Sequence, residues 1–229
     1  MAAVPGAAGM VAADHHSRGQ LGPWLRVDGG ARQSSGSVMK IRESGMPDEA
    51  QWASFFDCEA TVARLLGAAA GHGNVIEFGC GYGSFTVPVA RHTTGLVTAL
   101  DIEPAMVACV QRKAASLGLR NIRAEVRDFV AAGAGVATAS QAQALIFNLL
   151  HLAEPVDLLR EAQRTLQAGG LLAVIHWRSD IETPRGPPLA LRPTPAQCRQ
   201  WLTAAGFRDV AAVDVQDCCP FHFGLVARK

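Results

Sequence analysis

The sequence predicts an α/β fold, a doubly wound and mostly parallel sheet, on three observations. From about residue 47 onward, apolar runs of strand length alternate with amphipathic stretches of helix length. One of those runs, Asn74-Val75-Ile76-Glu77-Phe78, leads into Gly79-Cys80-Gly81-Tyr82-Gly83 and then into a helix. A buried strand, a glycine turn and a helix N-terminus are the unit by which doubly wound sheets hold nucleotide-like cofactors. The chain then ends in two strand-like segments with no helix between them, a closing β-pair.

Residues 1–45 stand apart. They are rich in Gly, Ala and Ser, carry His15-His16 and show no sustained periodicity. Such composition predicts a disordered extension, with Met39-Lys40 a natural alternative beginning, and a folded domain over 46–229. Pro47 to Phe56 reads as a short amphipathic helix with proline in its first turn, and Asp57 as the N-cap of a second helix through Leu66. After the glycine loop a helix is expected from about Ser84 to His92.

Leu96 to Asp101 is a second buried strand, and Pro104 to Leu117 a helix. Asn121 to Asp128 alternates as a third strand. Ala132 to Gln143 is an Ala/Gly/Ser-rich connection or a weak helix, and Ala144 to Asn148 a fourth strand. Pro155 to Leu166 is an amphipathic helix that Gly169-Gly170 should cap, followed by a fifth strand, Leu171 to His176. A proline-rich stretch at 178–195 reads as a substrate-side loop. A helix over Thr194 to Gly206 and strands near Val210–Val215 and His222–Ala227 complete the chain.

Composition narrows the function classes. With 49% hydrophobic residues, 18% charged and a net charge of +1, the 229-residue chain has an ordinary globular balance and no basic surplus for capturing nucleic acid. No apolar run approaches the roughly 20 residues of a membrane helix. The first residues lack the basic start and apolar stretch of a signal peptide, so a cytoplasmic location is expected. Six cysteines without paired metal spacing read as free thiols, and no metal site is expected.

The glycine spacing bears on the cofactor. The dinucleotide fingerprint Gly-x-Gly-x-x-Gly would place its last glycine where Ser84 stands, which disfavours an NAD-type oxidoreductase. What stands here is Glu77-x-Gly79-x-Gly81-x-Gly83. In order after it come Asp101, which closes the second strand, Arg127-Asp128-Phe129 after the third, and Leu166-x-x-Gly169-Gly170 before the fifth. Carrying these four features in register, the chain from about Met46 to its end resembles the class I S-adenosylmethionine (SAM)-dependent methyltransferases.

That resemblance implies a seven-stranded sheet in the order 3-2-1-4-5-7-6, strand seven antiparallel, with helices on both faces. The helices of 46–68, which carry Trp52, Phe55 and Phe56, are expected to cover the cofactor, with fastening of the chain to the sheet through core aromatics as the alternative. The resemblance implies SAM as methyl donor, contacted by Gly79, Cys80, Gly81 and Gly83, with Glu77 organising the loop. Asp101 would accept from both ribose hydroxyls, beside Ile102. Asp128 and Phe129 would meet the adenine, and Asn148 would offer its carbonyl near the methionine amine. Structural roles stay open for several of these: a helix cap for Asp101, a turn acid for Asp128, a salt-bridge partner for Glu77, and core packing for Phe129.

The acceptor is expected to be a small molecule and the protein a monomer or homodimer. A SAM-binding protein without catalysis is the alternative. Because the sulfonium already activates the methyl group, alignment does most of the work and a base matters only for a protonated nucleophile. His151 and His176 follow or end strands four and five on the expected active edge and are the candidate bases. Cys218, Cys219 and His222 come to the same rim, so thiol binding and plain core packing both stay open. Arg178, Arg185 and Arg192 could orient an anionic acceptor or serve the loop alone.

Overall fold

A computed structural model describes residues 46–69 and 71–229, so the expectations for residues 1–45 lie outside the described residues. Seven strands form one sheet: β1 (Val75–Phe78), β2 (Val97–Asp101), β3 (Ile122–Val126), β4 (Gln141–Phe147), β5 (Leu166–Trp177), β6 (Arg208–Val213) and β7 (His222–Arg228). Their order is β3-β2-β1-β4-β5-β7-β6. The first five run parallel, while β7 is antiparallel to both β5 and β6. This is the predicted fold.

The helices are α1 (Glu49–Ala53), α2 (Cys58–Leu66), α3 (Thr86–His92), α4 (Pro104–Ser116), α5 (Phe129–Ala132), α6 (Pro155–Thr165) and α7 (Pro195–Ala204). Successive strand residues point to opposite faces, so each central strand feeds two cores. Ile76, Phe78, Ile146 and Val174 pack with Leu158 and Leu159 of α6 and Leu202 of α7. Val75, Leu145, Ile175 and Trp177 pack with Val62 and Leu65 of α2 and Val89 of α3. Strands buried on both faces explain why the sequence shows apolar runs there rather than alternation.

Caps set the helix starts. Asp57 Oδ1 accepts from the Ala60 amide at 3.0 Å, as expected of an N-cap. Thr194 and Gln197 form a reciprocal capping box ahead of α7.

Several boundaries differ from the sequence reading. The first helix is only Glu49–Ala53, because Phe55 and Phe56 turn into the core at 6% and 9% exposure. The helix after the glycine loop starts at Thr86. Gly169-Gly170 do not cap α6: the chain turns extended at Leu166, which pairs with Gln141, and the two glycines lie within β5. Between α5 and β4, where a connection or a weak helix was expected, the chain has no helix.

Candidate functional site

The parallel strands end on one edge of the sheet, where doubly wound folds bind ligands. Register places the groups. Phe78 pairs with both Leu100 and Ile146, so Gly79 emerges beside Asp101. Phe147 pairs with Ile175, and Trp177 with His222, which brings Asn148, His176 and His222 to the same rim.

Gly79, Gly81 and Gly83 have φ of 76°, 50° and 76°, a region that L side chains rarely adopt. At Gly83 a Cβ would also meet Val110 Cγ2 at 2.9 Å. The amides of Gly79 and Cys80 donate to Leu100 O at 2.8 and 2.9 Å, which ties the loop to β2. Gly81 N donates to Asp101 Oδ2 at 2.8 Å, and Glu103 N to Asp101 Oδ1 at 3.0 Å.

One amide thus fixes each carboxylate oxygen, and each oxygen keeps a further lone pair. Burial raises the Asp101 pKa, while the hydrogen bonds from the Glu103 and Gly81 amides pull it back. The donor set fits a nucleoside diol: a fixed acceptor pair beside a turn whose backbone is open to close approach. Ile102 follows directly, half-buried.

Cys80 is buried, packed with Ala99 and Val110. Glu77, 2% exposed, accepts from the Thr86 hydroxyl at 2.5 Å and makes no ion pair among the described residues. Burial pushes its pKa up to about 8 despite that hydrogen bond. Asp128 is spoken for locally, since its Oδ1 caps α5 through the Ala131 amide at 3.0 Å. Phe129 is core, packed edge-on to Phe78 with centroids 5.4 Å apart.

Residues the sequence did not mark complete this side. The Met46 thioether lies 3.4 Å from where a Gly81 Cβ would stand, and Leu149 Cδ1 lies 3.0 Å from that of Gly79. Tyr82 Oη donates to Pro47 O at 2.9 Å, while Lys113 Nζ bridges Glu49 at 2.5 Å and Tyr82 O at 2.6 Å. The chain entering α1 is thereby strapped across the glycine loop. Such contacts are long-range and leave no local pattern to read.

On the other half of the rim, Asn148 takes a left-handed φ of 59°, which asparagine tolerates. Its Oδ1 accepts from Trp177 N at 3.1 Å and its Nδ2 meets His222 Nε2 at 3.3 Å, so its side chain braces β4 to β5 and β7. His151 Nδ1 lies 3.2 Å from His176 Nε2, and His176 Nδ1 lies 3.2 Å from Trp177 O. His176 and His222 are both fully buried, and burial drives the His176 pKa down to about 3 and that of His222 well below its usual value.

Cys218 and Cys219 are buried in the core beside Phe55 and Phe56 rather than open to the rim. No group of three or more His, Cys, Asp or Glu suited to a metal occurs among the described residues. Arg192 serves its loop, donating to the carbonyls of Pro187, Arg178 and Arg185 at 2.7, 2.8 and 3.3 Å. Arg178 forks onto Asp180 at 2.9 and 2.7 Å and reaches Gln216 at 2.7 Å. No helix among the described residues is long and apolar enough to cross a membrane.

Residues 75–170 match a family model described as a methyltransferase domain. No curated protein sequence matches the chain significantly. The fold is similar to that of a SAM-dependent methyltransferase from Aquifex aeolicus, with a TM-score of 0.67 and 23% identity over 79% of this chain and 93% of that one. It is also similar to the 4+2 cyclase SpnF, at TM-score 0.61 and 19% identity over 82% of this chain and 84% of that one. A geranyl diphosphate methyltransferase in complex with SAM matches at TM-score 0.58 and 14% identity, over 75% of this chain and 83% of that one. The glycine loop and the Asp101 anchor lie within the segment that matches the methyltransferase-domain model, and the seven-stranded sheet is the fold shared with these solved structures.

Proposed function

We propose that this chain transfers the methyl group of SAM to a nucleophile on a small molecule and releases S-adenosylhomocysteine. One observation carries the reading: three positive-φ glycines stand against a carboxylate whose two oxygens are each fixed by a backbone amide. Asp101 would take the ribose hydroxyls, with Ile102 beside it, and Gly79, Gly81 and Gly83 would let the backbone approach the ribose and the methionine end. Cys80 would contribute only backbone. Glu77 would organise the loop through Thr86. Asn148 would keep its carbonyl for the methionine amine while its side chain braces the rim.

Asp128 and Phe129 would border the adenine, Asp128 through the oxygen not engaged by Ala131. The segment 46–68 would cover the cofactor, a role its strap across Gly81 and Tyr82 supports. When bound, SAM supplies an electrophilic methyl group and a neutral thioether leaving group. The protein's part is to hold donor and acceptor in line and away from water. A net charge of +1 favours a small acceptor over nucleic acid, and a cytoplasmic location belongs to the same reading.

Calorimetric titration with SAM, S-adenosylhomocysteine and NADH tests this on wild type and Asp101→Ala. The expected result is micromolar binding of SAM and its product, at least tenfold weaker in Asp101→Ala, with no heat from NADH. Folded protein that binds no SAM would overturn it. Binding of SAM with no turnover of any acceptor would instead support a SAM-dependent role without methyl transfer.

A further inference from the structure

We propose that His151 is the general base for the acceptor, held by His176 with its Nε2 lone pair directed outward, and that the acceptor is an acidic hydroxyl, a phenol or an enol. The inference rests on the methyl-transfer reading and deepens it.

The argument starts from an atom with no choice. Trp177 O can only accept a hydrogen bond, so His176 Nδ1, 3.2 Å away, carries a proton. His176 is fully buried, and desolvation, aided by Arg192, keeps the ring neutral across physiological pH. A neutral ring protonated at Nδ1 has a bare Nε2. His151 Nδ1, 3.2 Å from that atom, must then be the donor. In neutral His151 the proton is therefore on Nδ1 and the lone pair on Nε2.

Position supports the role. His151 is exposed, on a turn just past the end of β4, whereas its partner is buried. The turn is pinned by Leu150, fully buried, and by a 3.1 Å bond from Leu152 N to Leu149 O. Leu149 itself lies against the glycine loop at Gly79, so the turn joins the donor side to the rim. The side of the ring that faces buried His176 is removed from water, and that partial burial lowers the His151 pKa, so it is unprotonated at neutral pH. The other groups facing the pair are Arg192, from the loop after β5, and His222, from β7; neither is a carboxylate that would favour protonation.

The base selects the nucleophile. An amine attacks through its own lone pair, and a thiol, with a pKa near 8.5, ionises close to neutral pH unaided. A hydroxyl of phenol acidity, with a pKa of about 10, gains most from an imidazole. In the step, the O–H proton moves to His151 Nε2 as the oxygen forms its bond to the methyl carbon. The carbon–sulfur bond breaks with its electron pair remaining on sulfur. His151 leaves as an imidazolium, its Nδ1–H still donating to His176, and returns the proton to water.

Three measurements on the full chain separate the possibilities. SAM calorimetry on wild type, His151→Gln and His176→Phe should show unchanged binding; no binding by wild type would sink the methyl-transfer reading and leave the histidine geometry intact. Long-range proton–nitrogen NMR should show His151 and His176 in the Nδ1–H form at pH 7.5. His176→Phe should return His151 to the Nε2–H form, and His176→Gln, which offers an acceptor, should restore Nδ1–H. His151 in the Nε2–H form in wild type would overturn the proposal.

Finally, matched phenols, thiophenols and anilines are offered with SAM and S-adenosylhomocysteine is measured. Phenols should react fastest. Their kcat/KM should rise with pH to a plateau through one ionisation below 6.5, the ordinary histidine value, and His151→Gln should remove that limb and lower kcat about 100-fold. A thiol or amine as the best acceptor, the same limb in His151→Gln, or no turnover of any phenol would each overturn it.

Discussion

The rim over β1 and β2 and the rim over β4, β5 and β7 are built by different means. On the first, backbone conformation does the positioning: three left-handed glycines, and an aspartate anchored by amides 20 and 2 residues away. On the second, side chains grip side chains or backbone across wide gaps, His151 to His176 over 25 residues and Asn148 to His222 over 74. The first arrangement suits a ligand that every turnover shares. The second can change with a single substitution, which would suit the proposed role of meeting the acceptor.

Both halves bury groups that would rather be charged in water, with opposite sign. Glu77 on the first has its pKa raised from 4.5 to about 8. A raised pKa means the folded state holds the proton more tightly, so this group's contribution is fully present below 4.5 and is lost as pH rises through 8. Glu77→Gln keeps an acceptor for Thr86 and removes the titration. The variant should gain on wild type by roughly 4 kcal/mol between pH 4.5 and pH 8.5, read by urea denaturation at each pH. Parallel stability curves would show that Glu77 is ionised in the folded protein and that the first rim is wetter than described.

Gly83→Ala tests the backbone half directly. The new methyl group would meet Val110 while its residue sits at φ 76°. Left-handed strain of about 1–2 kcal/mol and overpacking of about 1–3 kcal/mol predict a loss of roughly 3 kcal/mol. SAM affinity should fall with it. A variant as stable as wild type would mean that the loop can relax and that its glycines are not required by geometry.

The second half should fail in acid. The His176 pKa is lowered from 6.5 to about 3, so its contribution is present above 6.5 and is lost as pH falls toward 3. His176→Gln removes that loss while the penalty from His222 remains in both proteins. The stability gap between variant and wild type should shift by about 2 kcal/mol in the variant's favour from pH 7 to pH 5. An unchanged gap would place a protonated imidazole at position 176 and break the tautomer argument for His151.

The same contrast explains what could be read from the sequence. The sheet, its strands and the β1–β2 rim were legible because their signals are local: apolar runs, glycine spacing, an acid closing a strand. Asp128, Phe129 and the cysteines show the limit, since an acid at a strand end is compatible with a ligand contact or a helix cap, and burial decides which atoms stay open. The histidines could be named but not ordered. That His176 orients and His151 reacts depends on one carbonyl, Trp177 O, and no pattern of residue types announces it. Met46 over Gly81 was out of reach for the same reason, a contact between segments 35 residues apart.

Gly169 supplies the control for Gly83, and the smallest expected effect. It too sits at left-handed φ, 73°, yet a Cβ there would meet nothing within 4 Å. Gly169→Ala should therefore cost only the backbone strain, about 1 kcal/mol, and leave SAM binding unchanged. The difference between the two alanine variants, about 2 kcal/mol, then isolates what Val110 contributes by packing against the loop. Equal losses at the two sites would assign the whole effect to φ. The cofactor loop would then be no more tightly enclosed than the bend inside β5, and the contrast between a rigid donor rim and an adaptable acceptor rim would have to rest on Asp101 alone.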